Sequence, residues 1–262
     1  MELAWWQVAA LAVVALGAGT VDAIAGGGGL VTVPALLAFG VPPQLALGTN
    51  KGQSVFGSFT SMVRFLRLGV LETRRARWAL PLGLAGSAGG AVLLLALDPK
   101  VLRPVVLALL VGAAVVVALR PRVPAREEGA PAPAPTRGRW VAAGAASFLI
   151  AVYDGFFGPG TGTFLIVAFA LLLGDSLVRA SASAKLVNFA SNLAAVAIFA
   201  WRGTVLWKVA LPMAAGQLAG GYLGAHLTVK GGEKVVRWAV LLVVAALVVK
   251  LSRDLWLSRL GG

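Results

Sequence analysis

Apolar stretches long enough to cross a lipid bilayer recur along the whole chain of 262 residues. A spanning helix needs about 20 predominantly apolar residues. Eight stretches approach that length, at residues 4–24, 45–63, 78–96, 101–119, 140–157, 180–200, 206–226 and 235–250. Two shorter apolar runs, 30–40 and 163–173, follow glycine-rich breaks and predict re-entrant or half helices. The pattern predicts an all-α integral membrane protein of about eight transmembrane helices.

The composition excludes most soluble classes of protein. Apolar residues make up 59% of the chain and charged residues 13%, whereas a soluble domain is about half apolar and about a quarter charged. A soluble enzyme or a nucleic-acid-binding domain is therefore excluded, despite a net charge of +13. There is no cysteine, and His226 is the only histidine. We therefore expect no metal site, no cofactor and no enzymatic activity.

A linker rich in proline, alanine and arginine, residues 121–139, divides the chain into two halves of similar length. We take residues 1–120 as a first transmembrane repeat, 121–139 as a cytoplasmic linker, and 140–262 as a second repeat. In an eight-span arrangement, 15 Lys and Arg residues lie on the side of the termini and 6 on the other. Because Lys and Arg accumulate in cytoplasmic loops, this predicts cytoplasmic termini in a plasma (inner) membrane protein.

The two halves resemble each other residue by residue. Asp22, Gly26 and Gly28 match Asp154, Gly158 and Gly160 at a shift of 132. At a shift of 134, Lys51, Ser54 and Ser58 match Lys185, Asn188 and Asn192. Four spans per half predict that both copies have the same orientation, related by an axis along the membrane normal. Internal repeats are common in secondary transporters, whose sites lie where the repeats meet.

Four charged residues lie well within apolar surroundings: Asp22, Lys51, Asp154 and Lys185. Each costs about 2.5–3.5 kcal/mol if it faces lipid alone, so intramembrane ionisable residues are functional candidates by default. They form two equivalent acid–base sets, which pair either within a half or across the halves. The alternative is that such pairs only hold helices together.

Polar side chains and glycine breaks surround these charges. Lys51, Ser54 and Ser58 share one helical face, which Lys185, Asn188 and Asn192 repeat. The runs at 26–29 and 158–162 would leave unpaired N–H groups at the next helix start, where anions bind. Packing between helices is the alternative explanation for both features. The predicted anion-binding residues are Thr49, Asn50, Lys51, Gln53, Ser54, Gly160, Thr161, Gly162, Thr163, Lys185, Asn188 and Asn192, with Asp22 and Asp154 as coupling or ion-pair residues.

Three segments carry a resemblance to a known family. They are L-G-T-N-K-G-Q-S at 47–54, Y-D-G-F-F-G-P-G-T-G at 153–162 and A-S-A-S-A-K-L-V-N-F-A-S-N at 180–192. Over about residues 10–250 the chain resembles the sulfite exporter TauE/SafE family, also called the toluene sulfonate uptake permease family. The resemblance implies a duplicated four-helix unit in the inner membrane and transport of sulfite, sulfoacetate, related sulfonates, thiosulfate or other organic anions.

The motif positions that the resemblance carries over are Asn50, Lys51, Gln53, Gly158, Gly160, Thr161, Gly162, Lys185, Asn188 and Asn192. Ser181 stands where the family more often has Thr, a change that keeps the hydroxyl.

The leading hypothesis is a gradient-driven transporter of small sulfur-containing anions, since no Walker-type P-loop is present. The alternatives are an uncoupled, channel-like anion pore, a transporter of another small organic anion, and a membrane-embedded enzyme or assembly subunit. The expected partners are the anionic substrate, membrane lipid and a coupling proton, with no nucleic acid. A homo-oligomer stays open.

Overall fold

The computed structural model of the chain describes residues 3–119 and 135–231, and all regular structure within these ranges is helical. The helices are α1 Trp5–Ala25, α2 Gly29–Ala38, α3 Pro43–Arg67, α4 Ala76–Leu95, α5 Pro99–Leu119, α6 Arg137–Phe156, α7 Thr161–Leu173, α8 Leu177–Trp201 and α9, which is helical over residues 207–231. A short 3-10 turn, Thr73–Arg75, precedes α4.

Four helical segments are long and apolar enough to cross a membrane. They are Trp5–Ala25, Thr73–Leu95, Lys100–Val117 and Leu177–Trp201. Helices also occupy the predicted spans at 45–63, 140–157 and 206–226, without meeting the same criterion. The predicted span at 235–250 and most of the linker at 121–139 lie outside the described residues. The chain is therefore a helical protein with several membrane-spanning helices, and the number eight stays a prediction.

The first glycine run allows the chain to turn back on itself. Gly26 has φ +76°, a left-handed conformation that side chains rarely adopt, and α2 begins three residues later. The Phe39 ring, just after α2, lies 6.0 Å from the Trp6 ring in the first turn of α1. Helices α1 and α2 therefore form a hairpin whose two ends lie on the same side of the protein.

Helices α6 and α7 form a second hairpin of the same kind. Gly158 and Gly160 have φ +99° and +90°, and α7 starts directly after them. The Trp78 ring of α4 lies 6.1 Å from Trp140 in the first turn of α6 and 6.1 Å from Phe169 in α7. The predicted short runs at 30–40 and 163–173 are thus the returning arms of two hairpins.

Helices α3 and α8 run in opposite directions. Phe189 of α8 packs on Phe59 of α3, with ring centroids 5.4 Å apart. Beyond the end of α8, the backbone N–H of Leu206 donates to Thr49 Oγ1 near the start of α3, at 3.0 Å. Later residues of α8 therefore meet earlier residues of α3. The prediction that both halves share one orientation is wrong.

The hairpins are the physical reason for this reversal. Because α1 and α2 return to their own side, the three helices α3, α4 and α5 bring the chain to the other side before α6 begins. The sequence prediction counted α1, α3, α4 and α5 as four crossings and α2 as none. After an even number of crossings the second half would start on the same side as the first. With a returning hairpin the number is odd, and the second half starts from the opposite side.

Helix ends rich in arginine gather at one end of the bundle, which we call the arginine face. Helix α3 ends and α4 begins there, with Arg64, Arg67, Arg74, Arg75 and Arg77. The turn between α7 and α8 lies at the same end, since Arg75 Nη2 donates to Asp175 Oδ1 at 2.9 Å. The described end of α9 is there too, because Arg64 Nη2 lies 2.8 Å from His226 Nδ1. The start of α1 lies at the other end, the opposite face.

Glycines let neighbouring helices approach closely. A Cβ on Gly90 of α4 would lie 2.0 Å from the Val152 carbonyl oxygen of α6, and one on Gly86 would lie 2.5 Å from that of Phe148. Helix α9 meets α1 in the same way at Gly216 and Gly220. Small residues at such contacts are the usual basis of helix association in membranes.

We predict that Gly90→Ala lowers the melting temperature of the detergent-solubilised protein by several degrees. The methyl group would force α4 away from α6, and overpacking of this kind costs about 1–3 kcal/mol. The neighbouring Gly89→Ala is the matched control, because nothing lies within 4 Å of its Cβ position. Equal melting temperatures for the two variants would contradict the close α4–α6 contact.

Candidate functional site

The four intramembrane charges form two ion pairs in the middle of the bundle. Lys51 Nζ lies 2.7 Å from Asp154 Oδ1, and Lys185 Nζ lies 2.6 Å from Asp22 Oδ2. Each pair joins one half of the chain to the other. The sequence left open whether the pairs form within a half or across the halves, and the structure shows that they form across the halves. A buried lysine needs such a partner, because an unpaired buried charge is strongly destabilising.

The hairpin turns that carry these aspartates touch each other. A Cβ on Gly26 would lie only 2.1 Å from the Gly162 carbonyl carbon. Thr163 of α7 donates from its N–H to the Gly26 carbonyl at 3.3 Å and from its hydroxyl to the Ala25 carbonyl at 2.7 Å. Ser181 Oγ donates to the Ile24 carbonyl at 3.1 Å. The end of α1 and the start of α7 are thereby held against each other at the contact between the halves.

A small cavity lies at this contact. It is lined by Asp22, Gly26, Gly29, Asn50, Lys51, Ser54, Asp154, Gly158, Thr161, Gly162, Asn188 and Asn192. The space for the centre of a water-sized molecule is about 20 Å³, room for about one water molecule. An oxyanion with several heavy atoms needs more room, so this conformation is closed around the cavity.

Nine of the fourteen predicted site residues line this cavity. The other five are Thr49, Gln53, Gly160, Thr163 and Lys185, which are near but not in the lining. Thr49 holds the loop after α8, and Thr163 holds the end of α1. Lys185 is fully buried beside Asp22, which does line the cavity. Gln53 Nε2 donates to Asn50 Oδ1 at 2.9 Å and so positions a residue of the lining.

The two ion pairs have different surroundings. Asp154 also accepts hydrogen bonds from Thr161 Oγ1, at 2.9 Å, and from Ser191 Oγ. Its lysine, Lys51, donates in addition to Asn192 Oδ1 at 3.1 Å. Every charge of this pair is therefore compensated by several groups, and the Asp154 side chain is only 5% exposed.

Asp22 has fewer donors. Apart from Lys185 it accepts one hydrogen bond from the described residues, from the Gly28 N–H at 3.2 Å, and its side chain is 22% exposed. Applying the shifts of the repeat, Gly29 and Gly57 stand where the second half has Thr161 and Ser191. The first half therefore lacks both hydroxyl donors. The repeat predicted two equivalent pairs, whereas the environments of the two pairs differ.

Asn188 presents an unused polar group to the cavity. Its Oδ1 is buried and has no hydrogen-bond partner among the described residues, although Asn188 lines the cavity. A side-chain amide offers two donors and an acceptor. The unpartnered Oδ1 is an acceptor, so the groups of the lining that can donate to an anion are the Nδ2 amides of Asn188 and Asn192, the Lys51 ammonium group and the Ser54 hydroxyl.

Two further polar residues contribute to the site and were not among the predicted residues. Ser191 binds Asp154, and its spacing of three residues from Asn188 on α8 is the signal that identifies it. Thr32 Oγ1 donates to Asn50 Oδ1 at 2.6 Å. No sequence signal singles out Thr32, since it lies alone in the apolar run of α2. Among the described residues, no group of three or more His, Asp or Glu side chains is arranged to hold a metal ion.

Comparisons with known proteins agree with the resemblance seen in the sequence. The profile described as "Sulfite exporter TauE/SafE" matches residues 11–251. A "Probable membrane transporter protein" of a Sinorhizobium species is 36% identical, over 97% of this chain and 95% of its own length. A protein of that name from Haemophilus influenzae is 36% identical over 89% of this chain and 90% of its own length. The Escherichia coli protein YfcA, also named a "Probable membrane transporter protein", is 35% identical over 92% of this chain and 88% of its own length.

No solved structure matches the chain. The names of the three relatives state membrane transport and give no substrate.

We predict that Asp154→Asn destabilises the protein more than Asp22→Asn does. Removing one partner of a buried ion pair costs about 3–5 kcal/mol, and Asp154 is the better buried and more highly coordinated of the two. Thermal unfolding of the purified protein measures the difference. The double variant Lys51→Gln/Asp154→Asn should recover part of the loss, because it leaves no uncompensated charge. Equal destabilisation by the two single variants would contradict the asymmetry.

Proposed function

The chain belongs to the sulfite exporter TauE/SafE family, and from this premise we propose that it is a secondary transporter of small sulfur-containing anions. The substrate class is sulfite, sulfoacetate and related organosulfonates, moved across the plasma (inner) membrane. The observation that carries the proposal is the pair of buried lysines, each held by an aspartate of the other half, beside the central cavity.

The chemistry of the cavity supports an anionic substrate. Lysine supplies three donors and a positive charge, and the lining adds Asn50, Asn188 and Asn192. The start of α7 at Thr161 and Gly162 contributes to the same wall, and helix starts favour negative charge. A sulfonate or sulfite oxygen would take the place of a carboxylate oxygen as the partner of a lysine.

The Asp22–Lys185 pair is the one that we assign to coupling. Its aspartate is 22% exposed, against 5% for Asp154, and the pair has fewer supporting hydrogen bonds. When the anion binds Lys185, Asp22 loses its cation, and a proton then neutralises it. Anion and proton would cross together, since an uncompensated charge is expensive within a membrane. The Asp154–Lys51 pair, with its additional donors, would keep the halves in register.

We also propose that the protein is a duplicated unit of inverted orientation, with eight long helices and two short ones. The equal lengths of α3 and α8, 25 residues each, and their opposite directions support this arrangement. Inverted repeats around a central site allow alternating access by movement of one half against the other. The small volume of the cavity supports such a movement and disfavours a permanently open pore.

The inverted arrangement changes the predicted orientation in the membrane. Of the 15 Lys and Arg residues described, nine lie at helix ends of the arginine face and four at the opposite face, with Lys51 and Lys185 in between. The positive-inside rule then favours a cytoplasmic arginine face. The start of α1 would lie outside the cytoplasm, which reverses the orientation expected from the sequence alone.

We predict saturable uptake of sulfite or sulfoacetate into proteoliposomes, increased by an imposed pH gradient. Lys185→Gln should weaken the apparent affinity about 10- to 100-fold, the effect of losing a charge-assisted hydrogen bond of about 1.5–3 kcal/mol. Asp22→Asn should retain saturable exchange but lose the response to the gradient. The control is Lys100→Gln, at the opposite face and far from the cavity.

Each outcome of the flux experiment has a definite meaning. Flux that does not saturate and ignores the gradient would indicate an uncoupled pore. A gradient response retained by Asp22→Asn would remove that residue from coupling. No flux of either anion by folded protein would overturn the sulfur-anion substrate class, and another organic anion would then be sought.

The orientation is tested with single cysteines, since the chain has none of its own. We predict that a membrane-impermeant maleimide labels Ala4→Cys in intact cells and labels Thr73→Cys only after the cells are opened. Thr73 is exposed in the short 3-10 turn between α3 and α4 at the arginine face. The reverse labelling pattern would restore the cytoplasmic termini.

A further inference from the structure

A second cavity, of about 550 Å³, opens at the arginine face between the starts of α4 and α6. Its lining residues are Glu72, Arg74, Arg75, Arg77, Trp78, Leu82, Arg137, Trp140, Val141 and Gly144. The central ion pairs contribute nothing to it, and the proposed transport mechanism does not use it. Its volume is within the range of about 300–1,000 Å³ that small-molecule sites have.

Three arginines at the mouth of this cavity have no counter-charge within the part of the chain that the structure describes. Arg75 is the fourth, and it is neutralised by Asp175 and by Glu72, whose Oε2 lies 2.9 Å from Arg75 Nε. Glu72 is the only carboxylate in the lining. Arg74, Arg77 and Arg137 are exposed and have no ion-pair partner among the described residues. The mouth of the cavity therefore carries an excess of positive charge.

The lining changes from charged to apolar along the helices. Arg77 is followed in α4 by Trp78 and, one turn further, by Leu82. Arg137 is followed in α6 by Trp140 and Val141, and Val141 is 66% exposed on the surface of the bundle. The cavity thus runs from cations at the helix ends to apolar side chains within the span. A phospholipid has the same order, from headgroup to acyl chain.

The tryptophans lie at the boundary between the two parts. Trp78 and Trp140 meet edge to face with centroids 6.1 Å apart, and Arg75 lies 5.5 Å above the Trp140 ring. Because Arg75 is fixed by its carboxylates and Trp140 by Trp78, this wall of the cavity is preorganised. Tryptophan is also the side chain that most favours the headgroup region of a bilayer.

We propose that this cavity is a binding site for an anionic phospholipid. Its phosphate lies among Arg74, Arg77 and Arg137, and the first part of an acyl chain lies along Leu82, Val141 and Gly144. Basic pockets between membrane helices bind anionic headgroups by this combination of charge and apolar surface. The bound lipid bridges α4 and α6, the helices that meet through Gly86 and Gly90.

The test is lipid binding to the full-length protein in detergent, counted by native mass spectrometry. The probes are phosphatidylglycerol, phosphatidylcholine with the same acyl chains, and glycerol 3-phosphate as a headgroup without chains. We expect the first phosphatidylglycerol to bind at least tenfold more tightly than phosphatidylcholine. Glycerol 3-phosphate, which has no acyl chains, should bind far more weakly than phosphatidylglycerol. Each arginine near an anionic headgroup is worth about fivefold in affinity.

Two variants separate the charged part of the site from the apolar part. Arg77→Gln/Arg137→Gln should weaken phosphatidylglycerol binding about 25-fold, whereas Lys100→Gln/Arg202→Gln removes the same charge at the opposite face and should change it little. Gly144→Leu fills the apolar end without changing charge, since a Cβ there already contacts Leu82 Cδ1 at 3.5 Å. It should reduce binding of the first phosphatidylglycerol by at least fivefold. Melting curves without added lipid check that each variant is folded.

Three results would overturn the proposal. One is equal binding of phosphatidylglycerol and phosphatidylcholine. Another is equal loss in the two double variants, which would mean that only the total charge matters. The third is binding of glycerol 3-phosphate as tight as that of the lipid, which would indicate a site for a small soluble anion. None of these results depends on whether the protein transports sulfur-containing anions.

Discussion

Two lysines buried in an apolar bundle require a negative partner each, and this electrostatic requirement organises the rest of the structure. Lys51 and Lys185 are 2% and 0% exposed, and each is held within 2.7 Å by an aspartate of the other half. The aspartates lie near the ends of α1 and α6, so the hairpin turns must meet in the middle of the protein. Glycine at positions 26 and 162 permits that contact, because a side chain at either position would collide with the facing backbone.

The two ion pairs meet the same electrostatic requirement with different numbers of supporting hydrogen bonds. Thr161 and Ser191 stabilise Asp154, while their counterparts by the repeat, Gly29 and Gly57, offer Asp22 no hydroxyl. A charge with several hydrogen bonds is hard to displace, whereas a charge with one additional hydrogen bond exchanges its partner more readily. In the transport mechanism proposed above, the repeat would provide the symmetry needed for alternating access, and the departures from the repeat would decide which pair moves.

The arginine face connects the orientation of the protein with the lipid around it. Arg75 joins the start of α4 to the turn before α8, since both Asp175 and Ser183 accept its hydrogen bonds. The neighbouring arginines remain available at the surface, next to tryptophans of α4 and α6. A cytoplasmic arginine face and a site for anionic lipid are consistent with each other, since both follow from the attraction of cations to the anionic inner leaflet.

The helical membrane class, the family, the four intramembrane charges and most of the cavity lining can be predicted from the sequence. These depend on local patterns: long apolar runs, glycine runs, and a helical spacing that aligns Lys185, Asn188 and Asn192. The pairing across the halves and the antiparallel course of α3 and α8 are seen only in the three-dimensional fold. The contact between the Phe39 and Trp6 rings shows that α2 returns to the side on which α1 begins. Hydropathy along the chain carries no information about that contact. The direction of every later helix depends on the side to which α2 returns. This one contact therefore reverses the predicted relative orientation of the two halves.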